Sequence, residues 1–252
     1  MKILITNDDG YNAMGIYYLT KELEKHHEVI VVAPSSQRSA CSHSITIKKT
    51  LYANPVNLHE IKSKVYSING TPADCVKIAT EFLDKDIDLV VSGINIGSNL
   101  GSDVLYSGTV SAAIEGAMQK KPSIALSFNG EVESEERFIQ CAEYAVDIIN
   151  KAIKNNLDYK TVLNVNFPDI PKSEIKGIEV CNLGNKIYSG CYEVVEDENG
   201  EKGYLNICYP KDDITESTDI YYINNGYITV TPLNYDLTNF NTIEKVSSWM
   251  KH

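Results

Sequence analysis

The sequence predicts a doubly wound α/β fold, in which helices cover both faces of a mostly parallel sheet, with a β-rich C-terminal extension and a terminal helix. Short apolar runs alternate with segments of helical spacing as far as about residue 170, a pattern typical of such folds. The run from Glu28 to Ala33 is almost continuously apolar, as expected for a strand covered on both faces. With 252 residues, of which 43% are hydrophobic, the chain can bury a sizeable core.

The predicted elements follow one another in regular order. Strands are expected at Lys2–Thr6, Glu28–Ala33, Asp88–Val91, Ser123–Ser127 and Thr161–Asn166. Helical spacing of apolar residues is found between them, at Met14–Lys25, Ala73–Leu83, Ser111–Gln119 and Glu136–Ile153.

Residues 171–252 differ in pattern from the part that precedes them. Helical periodicity disappears, short runs of Tyr, Ile and Val are interrupted by glycines, and half of the sixteen tyrosines lie in this region. We therefore expect a single domain over residues 1–252, with an α/β core (1–170) and a β-rich arm (171–252) that ends in a helix at Thr242–Lys251. Because tyrosines are common in cores and interfaces alike, composition leaves open whether the arm joins subunits.

The composition argues against several classes of partner and site. A formal net charge of −11 repels phosphate backbones, so we expect no nucleic-acid duplex as a partner. No apolar run approaches the roughly 20 residues that span a bilayer, and the N-terminus turns acidic without a signal-peptide core. We therefore expect a cytoplasmic protein without membrane contact. The six cysteines show no C-x-x-C spacing, which speaks against a zinc site and favours reduced thiols.

Three polar segments follow predicted strands. They are Asn7–Gly10, Pro34–Ser39 and Ser92–Asn95. In an open α/β sheet, ligands bind beyond the carboxyl ends of the strands, so we expect these segments to converge on one site.

Asp8 and Asp9 are adjacent carboxylates at the end of the first strand. Two like charges at close range resist joint ionisation unless a cation lies between them, and oxygen ligands of this kind suit Mg²⁺ or Mn²⁺. The alternative is that both residues cap the following helix or shape a turn with Gly10.

The segment Ser107-Gly108-Thr109 stands where a helix is expected to begin. Free backbone N–H groups and the positive end of the helix dipole make such a position a phosphate cradle, although an ordinary Ser/Thr N-cap has the same appearance. The chain carries neither a G-x-G-x-x-G pattern there nor a Walker A lysine. Arg38 is a candidate phosphate or carboxylate clamp, or else a solvated surface residue.

The chain carries four motifs in a fixed order. They are Ile5–Gly10, Ala33-Pro34 with Arg38-Ser39, Asn69–Val76, and Val91–Asn95 together with Asp103–Val110 and Glu115-Gly116. A C-terminal signature follows at Gly226-Tyr227 and Thr231–Leu233. Together these residues resemble the survival protein SurE family, a group of metal-dependent nucleotide phosphatases.

The resemblance implies a metal site. In that family a divalent cation is held by two Asp, a Ser and an Asn, and the matching positions here are Asp8, Asp9, Ser39 and Asn95. One Mg²⁺ or Mn²⁺ per subunit is therefore expected, with Asp8, Asp9 and Asn95 as catalytic residues. One of the two aspartates, Asp8 in preference, is expected to orient the attacking water. Ala40 departs from the family, which often has Gly after the serine.

The resemblance also implies the reaction and the assembly. We expect hydrolysis of nucleoside 5′- and 3′-monophosphates to nucleoside and phosphate, with phosphate oxygens bound by Ser107, Gly108, Thr109 and Arg38. The family's C-terminal arm exchanges between subunits, so a homodimer or homotetramer is expected.

Two other interpretations of the acidic pair remain open from the sequence. A phosphatase with an aspartyl intermediate needs a D-x-D pattern, but Gly10 occupies the place of the second Asp after Asp8, and Tyr11 that after Asp9. A receiver-like signalling module needs a phosphoacceptor Asp at a central strand end, where this chain reads Val91-Ser92-Gly93.

Overall fold

The computed structural model describes residues 1–131, 134–188, 192–207, 211–212 and 215–251. Strands and helices alternate through the first two-thirds of the chain. In order they are β1 (Lys2–Thr6), α1 (Met14–Leu23), β2 (Glu28–Pro34), β3 (Ala53–Val56), β4 (Lys64–Ile68), α2 (Pro72–Ile78), β5 (Leu89–Ile96), α3 (Gly108–Met118), β6 (Ser123–Asn129), α4 (Glu135–Lys154) and β7 (Val162–Pro168).

The remaining part of the chain is richer in short strands. Its elements are β8 (Ile178–Val180), β9 (Lys186–Ile187), β10 (Tyr192–Glu196), β11 (Lys202–Asn206), β12 (Lys211–Asp212), α5 (Asp219–Asn224), β13 (Ile228–Leu233) and α6 (Ile243–Met250). The strands β10 and β11 pair as an antiparallel hairpin, and β9 pairs with β12 in the same sense.

One large sheet organises the described residues. Its strand order is β3-β4-β2-β1-β5-β6-β7-β13-β8. The pairs from β4 across to β7 are parallel, whereas β3 and β13 each run antiparallel to a neighbour. The chain crosses from β1 outward to β2 and later returns to β5 on the other side of β1. The carboxyl end of β1 therefore lies at a topological switch point, where ligands bind in such sheets.

Helices cover both faces of this sheet, and alternate strand residues belong to different cores. Ile3 and Ile5 of β1 belong to a cluster built on α1 and α4, while Leu4 belongs to a cluster that includes Cys75 and Val76 of α2. All five side chains are fully buried, and burying one such apolar side chain contributes roughly 1.5–3 kcal/mol. The predicted fold class, a doubly wound and mostly parallel sheet between helices with a β-rich C-terminal extension and a terminal helix, is confirmed. The structure adds a small antiparallel sheet, β10 with β11, to that extension.

The structure also contains elements that periodicity did not predict. The strands β3 and β4, which come between β2 and α2 in the sequence, form one edge of the sheet. The predicted helix at Ala73–Leu83 changes at Ala79 from α-helical to a π-helical turn. The helix α5 has six residues, which is too short for a periodic pattern to show. Two strands from beyond residue 170, β8 and β13, join the main sheet. The division into core and arm stays a prediction.

Four cysteines within the described ranges are free thiols, namely Cys41, Cys75, Cys141 and Cys181. The other two, Cys191 and Cys208, lie outside the described residues. Among the helices that the structure describes, none is long and apolar enough to cross a membrane.

Candidate active site

Residues of all three predicted polar segments line one cleft of about 230 Å³. Two of the segments lie at the ends of β1 and β2, whereas Ser92–Asn95 belongs to β5, which continues to Ile96 instead of ending at Val91. The cleft wall includes all four predicted metal ligands and the first residue of the predicted phosphate cradle, namely Asp8, Asp9, Ser39, Asn95 and Ser107. The structure therefore brings these five residues together, as expected from their places at the carboxyl ends of neighbouring parallel strands.

The turn after β1 is closed by Asn7 rather than by the aspartates. The Asn7 side chain donates from Nδ2 to the Gly10 carbonyl at 2.9 Å and accepts from the Gly10 N–H at 3.1 Å. Gly10 has φ +107°, a left-handed conformation that glycine adopts without a steric penalty. The N-cap of α1 is Ala13, and no side chain in the described chain caps that helix end. Asp8 and Asp9 therefore do not cap α1, which was the alternative that the sequence left open.

Asp8 lies in the corner between β1 and the N-terminus of α3. It is 6% exposed, and its Oδ1 accepts a hydrogen bond from the Thr109 hydroxyl. Burial raises the pKa of the Asp8 carboxyl, and hydrogen bonds from Thr109 and from the Gly108 N–H offset part of that rise. A Cβ at position 108 would lie 2.9 Å from Asp8 Oδ2 and 2.8 Å from Cys41 Sγ, so only glycine allows this close approach.

Asp9 links the other two loops of the cleft. Its Oδ2 accepts from the Ile96 N–H at 3.2 Å, and its Oδ1 accepts from Gln37 Nε2 at 3.4 Å. Asp9 therefore joins the end of β1 to the end of β5 and to the loop after β2.

Asn95 reaches the cleft because β5 is irregular near its end. The register between β5 and β6 shifts between Ser92 and Asn95, where a Cβ on Gly93 would lie 2.2 Å from the Leu126 carbonyl oxygen. The Asn95 Nδ2 atom donates to the Gly97 carbonyl at 2.7 Å. That bond uses the amide nitrogen, so the side-chain oxygen is the atom that could bind a cation.

Of the two site residues predicted in the loop after β2, Ser39 lines the cleft and Arg38 does not. Ser39 is exposed and lines the cleft. The Arg38 backbone N–H donates to the Asp8 carbonyl at 2.7 Å, but the Arg38 side chain is not part of the cleft wall. Its Nε atom is buried and has no hydrogen-bond partner among the described residues.

Ser107 fits both interpretations of the segment at the start of α3. Its hydroxyl caps the helix by accepting from the Val110 N–H at 3.1 Å, and the residue also lines the cleft. Thr109 and Gly108 contact Asp8 behind the wall. The N–H groups of Gly108 and Thr109 bond to the Asp8 carboxylate in this structure, and phosphate binding at this helix end stays a prediction.

The cleft wall also includes residues to which the sequence assigned no role in the site, among them Gln37, Asn99, Asp103 and Tyr106. Asp103 is held by Lys186 Nζ at 2.6 Å and by the Tyr188 hydroxyl. Asn99 is buried, and its backbone N–H donates to Asn166 Oδ1 at 2.8 Å. These contacts join residues that are 67 to 85 positions apart in the chain, so no local sequence pattern indicates them.

The donor set of the cleft fits a hard divalent cation. It combines two carboxylates with a hydroxyl and an amide oxygen, the oxygen ligands that Mg²⁺ and Mn²⁺ prefer. A cation would also offset the cost of ionising the buried Asp8 beside Asp9. Within the described ranges there is no group of three or more His, Cys, Asp and Glu side chains that could hold a metal. A cation bound by Asp8 and Asp9 would draw its other protein ligands from neutral oxygens, and Ser39 and Asn95 offer them in this cleft.

A family model described as survival protein SurE matches residues 3–190 of the chain, which include every residue of this cleft. The chain belongs to the SurE family. It is 49% identical to the 5′-nucleotidase SurE of Clostridium botulinum (strain ATCC 19397 / Type A), over 97% of each chain. It is 47% identical to the 5′-nucleotidase SurE of Clostridium tetani, over 99% of this chain and 100% of that one.

The SurE fold is also found by structural comparison. The crystal structure of the SurE protein from Aquifex aeolicus superposes with a TM-score of 0.86 at 36% sequence identity, covering 99% of this chain and 100% of that one. The similarity therefore extends beyond the matched 3–190 segment into the C-terminal region.

Proposed function

We propose that this SurE-family protein hydrolyses nucleoside 5′- and 3′-monophosphates to nucleoside and inorganic phosphate with one divalent cation, Mg²⁺ or Mn²⁺, per subunit. The observation that carries the proposal is the cleft in which Asp8, Asp9, Ser39 and Asn95 meet the N-terminus of α3. The full-length similarity to two proteins named 5′-nucleotidase supports nucleotides as the substrate class.

Asp8, Asp9, Ser39 and Asn95 would hold the cation. When bound, a cation of this kind polarises a phosphoryl oxygen and lowers the pKa of a coordinated water. Asp9 contributes rigidity as well, because its two oxygens already accept from Ile96 and Gln37.

The N-terminus of α3 would bind the phosphate. The positive end of its dipole would stabilise the negative charge that phosphoryl transfer spreads over the equatorial oxygens. The backbone N–H groups of Gly108 and Thr109 bond to Asp8 in this structure, and Ser107 lines the cleft beside them. Gly108 lets the helix end approach the metal-binding corner closely, and Thr109 fixes Asp8 there through its hydroxyl. Asp8 is next to this cradle, so we assign it, rather than Asp9, to orienting the attacking water. Arg38 stays a candidate whose side chain would have to turn toward the cleft.

The C-terminal arm would join subunits into a homodimer or homotetramer. It leaves large apolar side chains uncovered, with Leu237 83% exposed, Trp249 59% and Met250 78%. None of the eight residues of α6, all of which the structure describes, is buried. A helix with an unpacked apolar face is stabilised by a partner surface.

Phosphate release from 5′-AMP and 3′-AMP tests the reaction. The protein is assayed after EDTA treatment and again after Mg²⁺ or Mn²⁺ is restored. We expect release only with metal present. Release that is unchanged in EDTA, or no release from either nucleotide with any metal, would overturn the proposal. A phosphoenzyme detected by intact mass would instead favour an aspartyl intermediate.

A further inference from the structure

The segment Ser39–Thr46, here named the Ser39 loop, leaves the cleft and contacts α3 and the start of α2. Ala40 and Ser42 have φ values of 51° and 49°, in the left-handed region. For residues other than glycine this conformation costs roughly 1–2 kcal/mol each. The loop therefore needs contacts from the rest of the protein to keep its shape. The side chain of Ser39 is exposed and has no hydrogen bond to any residue that the structure describes.

A buried carboxylate on α3 holds the middle of the Ser39 loop. His43 Nε2 lies 2.9 Å from Glu115 Oε2, and the Glu115 side chain is 4% exposed. Gln119 Nε2 donates to Glu115 Oε1 at 2.9 Å, and Lys77 Nζ lies 3.6 Å from that atom. Burial raises the pKa of the Glu115 carboxyl, but His43, Gln119 and Lys77 together hold it below its usual range. Glu115 is therefore an ionised acceptor on the same helix that begins at the phosphate cradle.

A second buried carboxylate holds the far end of the Ser39 loop. Asp74, near the start of α2, accepts from the Thr46 N–H at 3.0 Å and from the Thr46 hydroxyl at 2.6 Å. The neighbouring Thr71 donates from its hydroxyl to the Ser44 carbonyl at 2.7 Å. Thr71 and Asp74 also form the capping box of α2. The motif Asn69–Val76 is thus explained as an anchor of the loop, although it lies outside the cleft wall.

We propose that Glu115 and Asp74 are positioning residues that fix the Ser39 loop through His43 and Thr46, and so present Ser39 to the cation beside Asp8. Neither carboxylate lines the cleft, so both act through the loop. The inference rests on the proposed function, because it treats Ser39 as a metal ligand. Groups that orient a metal ligand from outside the first coordination sphere typically change metal affinity or activity 10- to 100-fold when removed.

His43→Ala tests the Glu115 anchor, with Gln119→Ala as a matched control. Both variants remove one hydrogen bond to Glu115, but only His43 belongs to the loop. The readout is Mn²⁺ affinity without substrate, from electron paramagnetic resonance titration of free Mn²⁺, beside the thermal midpoint of the metal-free protein. We expect His43→Ala to weaken Mn²⁺ binding about tenfold. His43→Gln, which keeps a side-chain N–H donor, restores most of the affinity, and Gln119→Ala changes it less than twofold.

Thr46→Val tests the Asp74 anchor without breaking the capping box of α2. The variant deletes the hydroxyl but keeps the backbone N–H that also bonds to Asp74, so we expect a smaller loss of Mn²⁺ affinity than for His43→Ala. Equal Mn²⁺ affinities in wild type, His43→Ala and Thr46→Val would overturn the inference alone, provided that Asp9→Asn abolishes binding. Absence of Mn²⁺ binding in the wild type would overturn the proposed function and the inference together.

Discussion

The carboxyl group of Asp8 stands between two opposing influences. Burial disfavours its charge, while the Thr109 hydroxyl and backbone N–H groups at the start of α3 favour it, and burial is the stronger. Its pKa in the folded protein is therefore higher than in the unfolded chain. Ionising Asp8 thus costs stability as the pH rises through the interval between the two pKa values, and above that interval the whole cost persists in the metal-free protein. A cation bound at Asp8, as we propose, would reverse this balance.

Asp8→Asn separates stability from metal binding. We expect the metal-free variant to have a free energy of unfolding in urea at pH 7 that equals or exceeds that of the wild type, because a buried charge is removed. Mn²⁺ at 100 times its dissociation constant stabilises the wild type by about 2.7 kcal/mol. The variant loses this increment. An Asp8→Asn protein that still gains stability from Mn²⁺ would contradict the assignment of Asp8 as a ligand.

At the scale of elements, α3 has a different task at each end. Its N-terminus forms the candidate phosphate cradle, and its C-terminus closes with a Schellman motif. The Lys121 N–H donates to the Gly116 carbonyl and the Lys120 N–H to the Ala117 carbonyl, both at 2.9 Å. Lys120 has φ 60°, the left-handed position that glycine usually occupies in this motif.

Lys120→Gly is expected to stabilise the protein by about 0.5–1 kcal/mol, because glycine relieves the left-handed strain at the end of α3. Nucleotidase activity should not change. The control is Lys151→Gly, an exposed position inside α4, where glycine costs about 1 kcal/mol. Urea unfolding measures both variants, and a loss of stability in Lys120→Gly similar to that in Lys151→Gly would show that strain at this helix end is unimportant.

Strands and helices with long apolar patterns are predictable from the sequence. Contacts between residues far apart in the chain are not. The strand β1 and the polar turn after it follow directly from Lys2–Gly10. The pairing of His43 with Glu115 joins residues 72 positions apart, and nothing local to either residue indicates it. The role of Asn7 in closing the turn after β1 was predictable, because Asn side chains often hydrogen-bond to the backbone of a turn. From the sequence, the possible turn role is assigned to the adjacent Asp8 and Asp9 instead.

At the scale of the whole molecule, the distribution of exposed apolar side chains sets the C-terminal region apart. A replacement on α6 therefore tests the proposed assembly. We expect the wild type to have the mass of a dimer or tetramer by light scattering, and Trp249→Asp with Met250→Lys to lower that mass. Phe82→Asp is the control, because Phe82 is 75% exposed but lies on the π-helical turn after α2, outside the arm. A wild type of 28.0 kDa in solution would contradict the proposed role of the arm.

The measurement that tests the central claim most directly is an anomalous difference map from a crystal grown with Mn²⁺. We predict one strong peak in the cleft at the carboxyl end of β1, within coordination distance of oxygens of Asp8, Asp9, Ser39 and Asn95. A crystal of the Asp9→Asn variant, grown with Mn²⁺ under the same conditions, should lack the peak. Mn²⁺ bound elsewhere, with this cleft empty in crystals of active protein, would contradict the account.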